Sequence, residues 1–100
     1  MEKAIKAARF GDQIRDSIAA WSRHDLPGFF FTIVQVSLTP DLSRATVWVS
    51  ALDEEKLKDI VTRLRHHERD YAHKLRRELG KHVVPMIRFV PAQNVIVPKS

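Results

Sequence analysis

Residues 36–49 read VSLTPDLSRATVWV, and the reading of this stretch decides the fold. Thr39-Pro40-Asp41-Leu42-Ser43 at its centre has turn chemistry, because proline presets φ and the Asp and Ser side chains bond nearby backbone groups. On the far side Ala45, Val47, Val49 and Ala51 alternate with Thr46, Trp48 and Ser50. On the near side Val34, Val36 and Leu38 alternate with Gln35 and Ser37. A period of two on both sides of a turn predicts an antiparallel hairpin with one buried face. Asp25-Leu26-Pro27-Gly28 is a breaker upstream, so the first strand is expected over residues 29–38 and the second over 45–51.

Working outward, residues 2–23 predict a helix, with Ile14, Ile18 and Trp21 at helical spacing and Ile5 and Phe10 extending the stripe across Gly11. Asp53-Glu54-Glu55 is favourable charge for a helix start, and Leu57, Ile60, Val61 and Leu64 form the stripe of a helix over 53–66. Tyr71, Leu75 and Leu79 carry a second stripe to Gly80. Glu68 stands where an apolar residue would join the two stripes, which predicts a bend over residues 66–70. Pro85 introduces a last strand over residues 86–90, and Val95, Ile96 and Val97 either pair on an edge or form a tail. The order helix, strand, strand, helix, helix, strand implies an α+β domain with a mixed three-stranded sheet and helices on one face. The other face is expected to be relatively bare and to carry Trp48 and Arg88. Trp48 there either stacks a base or lies under the C-terminal tail.

One hundred residues make one domain with one core. The absence of cysteine excludes disulfides, thiolate metal sites and a cysteine nucleophile. No apolar run has signal-peptide or membrane-spanning length, so a cytoplasmic, soluble chain without a membrane partner is expected. Residues 61–90 hold eight of the seventeen Lys and Arg against three acids, an excess that equals the net charge of +5. Four of the five histidines fall in the same third. Such a one-sided field points to a polyanion, with nucleic acid the first candidate. Lys74, Arg77 and Lys81 share a side of the third helix, flanked by His73 and Arg76, with Arg65 and Arg69 at the bend. The bland reading is a solvated helix face with pairs such as Lys74–Glu78; the imbalance of eight to three favours anion binding. His67-Glu68 begins like the HExxH zinc motif, but Tyr71 occupies the second histidine position, so no metal is expected. Three scattered glycines supply no phosphate loop, and no nucleophile–base pair is legible. Neither an enzyme nor a cofactor or small-molecule substrate is expected.

The hairpin residues from Val36 to Val49 resemble those of the ribosome-binding factor A family, in which a V-x-[LM]-S-x-D-L-x-x-A-x-V-[YW]-V pattern joins the first two strands. Thr39 stands for the usual serine and keeps the hydroxyl. LRRELGK at 75–81 and VPMIRF at 84–89 resemble the family's third helix and last strand. The resemblance covers roughly residues 8–90. It implies a single KH-like domain of the helix-first type, here over residues 1–92 with a short tail at 93–100. It also implies a bacterial, monomeric assembly factor that binds the 30S subunit and its 16S rRNA and assists late maturation and rRNA 5′-end processing. RNA contacts are then expected from Arg65, His66, His67, Arg69, His73, Lys74, Arg76, Arg77, Lys81 and Arg88. A protein-interaction module whose basic helical face meets an acidic protein is the alternative. An ungapped match puts His67-Glu68-Arg69 at the family's Ala-x-Gly kink between helices 2 and 3, without its glycine. A gapped match instead shortens the loop after helix 3 by about one turn, and the sequence leaves both open.

Overall fold

A computed structural model describes residues 2–79 and 85–92. The elements run α1 (Glu2–Asp25), β1 (Thr32–Leu38), β2 (Arg44–Ser50), α2 (Glu54–Arg65), α3 (Glu68–Leu79) and β3 (Met86–Pro91). The sheet order is β1-β2-β3, with β1 antiparallel and β3 parallel to the central strand. Ala45, Val47, Val49, Ile87 and Phe89 face a single core made with Ile14 and Ile18 of α1, Leu57, Ile60, Val61 and Leu64 of α2, and Tyr71 and Leu75 of α3. The helices therefore cover one sheet face, as the alternation in β2 predicts. Thr46 and Arg88 pair across the strands and point to the opposite face.

One inner-face assignment is overturned. Ile33 pairs with Val49 and Gln35 with Trp48, so Val34 is the extra residue of a β-bulge. Val34 is turned outward and 45% exposed, while Ile33 packs on the core in its place. Strand β1 also begins at Thr32, not at residue 29. Gly28 takes a φ of +86°, and Phe29–Phe31 cross one pole of the molecule before pairing starts. The expected pairing of residues 95–97 lies outside the described residues.

The hairpin loop is organised by Asp41. Its Oδ1 accepts from Thr39 Oγ1 at 2.7 Å, from Ser43 Oγ at 2.8 Å and from the Ser43 amide at 3.1 Å. Thr39 Oγ1 in turn accepts from the Arg44 amide at 3.1 Å. Leu42 is held at φ 61°, the only described non-glycine residue with positive φ. The Ser43 and Thr39 hydrogen bonds lower the Asp41 pKa to about 2.

Helix α2 starts as its acids predict: Asp53 caps it, accepting from the Glu55 amide at 3.1 Å. It ends in a turn at His66 and His67, whose amides bond back three residues to Arg63 and Leu64 at 3.2 and 2.9 Å. His66 keeps φ −66° and ψ −19°, close to 3₁₀ values, so the expected bend forms without a left-handed residue. Beyond the turn Glu68 Oε2 accepts from the Phe89 amide at 2.7 Å, and Arg65 Nε donates to the Phe89 carbonyl at 3.1 Å. The two residues flanking the turn thus hold both backbone groups of one residue on edge strand β3.

Two consequences are measurable. Glu68→Ala strands the part-buried Phe89 amide and should lower stability by about 1–3 kcal/mol in denaturant melts, with Glu68→Gln recovering part of the loss. A native stability equal to wild type for Glu68→Ala would show that the clamp contributes nothing. The Asp41 pKa is depressed on folding, so its contribution is complete above the ordinary carboxyl value of 3.8 and is lost as pH falls through about 2. Acid titration followed by NMR should show this carboxyl midpoint near 2, and Asp41→Asn should remove that component of the acid response.

Candidate nucleic-acid interface

The turn and α3 carry most of the residues expected to meet RNA, and the structure sorts them. Arg65 is committed to the Phe89 carbonyl. His67 is half-buried, with its ring stacked on Tyr71 at 5.4 Å and Nδ1 at 3.7 Å from Asp25 Oδ2. The Tyr71 hydroxyl donates to the same oxygen at 2.7 Å, and burial followed by Asp25 raises the Tyr71 pKa. The phenol therefore stays protonated and joins the end of α1 to α3. Lys74 lies over the rings of Trp21 and Tyr71 at 5.5 and 5.6 Å and pairs with Asp70 at 3.5 Å. The expected partner Glu78 accepts from Ser17 at 2.8 Å.

Arg69, His73, Arg76 and Arg77 remain exposed on α3, with no hydrogen bond or ion pair among the described residues. Their spacings of four and three residues place Arg69, His73 and Arg76 along one helix face, with Arg77 beside them. His66 is exposed at the C-cap of α2. The free cationic stripe is thus rotated from the expected Lys74–Arg77–Lys81 line, because Lys74 turns toward α1. Lys81 lies outside the described residues. Asp70 and Glu68 in the first turn of α3, with Arg76 and Arg77 in the last, also match the helix dipole.

Arg88 stands apart from this stripe. It projects from β3 beside a groove of about 600 Å³ that Arg65, Glu68, Met86 and Arg44 also line. Arg44 belongs to this cationic edge and escapes the sequence reading, since only the parallel pairing Arg44↔Met86 brings it next to β3. Trp48 is half-buried, and its Nε1 is shielded from solvent without a hydrogen-bond partner among the described residues. It is not a fully open stacking platform. Among the described residues no three His, Asp or Glu converge as a metal site, and no helix is long and apolar enough to cross a membrane.

The order of elements, the parallel β2–β3 pair and the helical turn between them match a known family across nearly the whole chain. The model of the ribosome-binding factor A family matches residues 6–95. This chain belongs to the ribosome-binding factor A family. Its fold is similar to the crystal structure of ribosome-binding factor A from Thermus thermophilus, at 25% identity and a TM-score of 0.72, over 85% of this chain and 94% of that one. It is also similar to the solution structure of a Thermotoga maritima protein described as a putative ribosome-binding factor A. That match has 23% identity, a TM-score of 0.77 and coverage of 97% and 96%. A third similar structure is a Thermus thermophilus ribosome-binding factor A homology model fitted into the cryo-EM map of a 30S complex. There the identity is 27% and the TM-score 0.60, over 80% of this chain and 88% of that one. No curated protein sequence matches. The KH-like, helix-first fold expected from the hairpin is the one found.

The sorting of the cations has a direct test. Arg69→Ala and Arg76→Ala should stay within about 0.5 kcal/mol of wild type in thermal or denaturant unfolding, as exposed positions do. Arg65→Ala, which frees the Phe89 carbonyl, should cost about 1 kcal/mol. Equal losses at all three positions would show that the stripe is structural.

Proposed function

We propose that this chain binds the small ribosomal subunit through its rRNA and acts there without catalysis. In this reading it assists late subunit maturation and processing of the 16S rRNA 5′ end in the bacterial cytoplasm. The observation that carries the reading is the similarity over 80% of the chain to a ribosome-binding factor A fitted into a 30S map. The stripe Arg69, His73, Arg76 and Arg77, exposed and unpaired among the described residues, supplies the chemistry, with His66 at the adjoining turn. Cations on a rigid helix neutralise phosphates and release condensed counterions, which gives affinity and position without reading sequence. Specificity then comes from the shape of the RNA and its unpaired segments.

Co-sedimentation with purified 30S subunits across a salt series tests this. Log affinity should fall linearly with log salt, at roughly −0.7 to −0.9 per phosphate neutralised. Arg76→Glu with Arg77→Glu should abolish binding at moderate salt and leave the thermal midpoint nearly unchanged. Equal pelleting with 50S subunits, or a salt-insensitive complex, refutes the proposal. A partner retained after nuclease digestion would instead favour an acidic protein as the ligand of the basic face.

A further inference from the structure

Phe30 and Leu52 are 82% and 101% exposed, and they belong to separate loops that the hairpin brings to one pole of the molecule. Both side chains line each of two adjoining grooves, of about 650 and 500 Å³, which also share Gly28 and Phe29. The positive φ of Gly28 and the late start of β1 are what turn this Phe-Phe-Phe segment across the pole instead of into the sheet. A paired aromatic and aliphatic side chain standing in water beside two grooves is the form of a binding anchor.

The acids around this pole outnumber the bases, which disfavours a polyanion as its occupant. Arg23 Nε donates to the Ala19 carbonyl at 3.1 Å, which orients the guanidinium and leaves its charge in place. Arg63 pairs with Asp59 at 3.1 Å and lies over the Phe29 ring at 4.9 Å. Glu54 and Glu55, exposed in the first turn of α2, have no side-chain partner among the described residues. Arg23 and Lys56 are the bases that line the grooves, and Asp53 and Asp59 are the acids. With Arg63, Glu54 and Glu55 counted in, three bases (Arg23, Lys56, Arg63) meet four acids (Asp53, Glu54, Glu55, Asp59), a net −1 that is opposite in sign to the stripe on α3.

We infer that the Phe30–Leu52 pole is a protein-docking surface. Its occupant is a cationic protein of the small ribosomal subunit, which places an apolar side chain between Phe30 and Leu52 and a lysine or arginine against Glu54 and Glu55. The inference rests on the small-subunit reading proposed above and adds a second point of attachment to it. Two surfaces of opposite charge let the domain hold an RNA–protein junction, which neither naked rRNA nor an isolated protein offers.

The test compares wild type with the double variant Phe30→Ser, Leu52→Ser on two probes, purified 30S subunits and protein-free 16S rRNA. Both side chains are solvent-exposed, so the thermal midpoint should be retained. The double variant should bind 30S subunits about tenfold more weakly and bind protein-free rRNA with unchanged affinity and salt slope. Glu54→Lys with Glu55→Lys should weaken subunit binding in the same direction without weakening rRNA binding. Unchanged binding of the apolar variant to 30S subunits overturns the inference. So does an equal loss on both probes, which would make Phe30 a base-stacking contact. Failure of the wild type to bind 30S subunits is a different result, and removes the small-subunit reading itself.

Discussion

Both backbone groups of Phe89 are held from outside the sheet, the amide by Glu68 and the carbonyl by Arg65, and the functional geometry of the domain depends on this clamp. Strand β3 lies at a sheet edge, where outward-facing backbone groups have no neighbouring strand. Proline at 91 removes one donor from that edge, and the clamp satisfies the Phe89 pair. The same two hydrogen bonds fix where α2 stops and α3 begins relative to the sheet. The Phe89 ring points inward and meets Tyr71 edge-on at 6.2 Å, so one residue locks α3 to the strand from both sides. The direction of α3, and with it the direction of Arg69, His73, Arg76 and Arg77, follows from this arrangement.

Much of this was legible in the sequence, and the reasons it stopped being legible are specific. Alternation in residues 45–51 reports a buried face because side chains in a strand point alternately, and β2 matches it residue for residue. The same logic fails at Val34, because a bulge shifts the alternation by one residue and costs nothing in composition. Glu68 was visible as a break in an apolar stripe, which located the turn. Its partner is 21 residues away on a strand, and no local pattern carries that information. Charge counting found the basic third of the chain. It could not separate Lys74, drawn over the rings of Trp21 and Tyr71, from Arg76 and Arg77, because that depends on α1 packing alongside α3.

Structural and free charges therefore divide along the chain in a consistent way. Arg65 lies against β3, Lys74 and His67 against α1, and Arg63 against Phe29 and Asp59, so each has an acid, a carbonyl or a ring against it. The cations one turn further round α3 have none among the described residues. A basic helix whose inner cations hold the fold and whose outer ones are unpaired presents its charge on a rigid support. Little side-chain packing is then lost when a polyanion binds, and little binding is lost when the packing is optimised.

The turn between α2 and α3 shows how the family's kink is made here without its glycine. A glycine at such a site provides a left-handed φ and a bare backbone for close approach. This chain uses His66 and His67 in right-handed conformations, closed by hydrogen bonds three residues back, and the clamp on Phe89 supplies the angle. The consequence is chemical as well as geometric. The apex presents an exposed imidazole at His66, while His67 is turned under Tyr71 and Asp25. The apex therefore offers a side-chain ring where a glycine would leave open backbone amides. The bend that departs from the family pattern thus places a side chain where the family's glycine leaves bare backbone, and keeps its turn through hydrogen bonds alone.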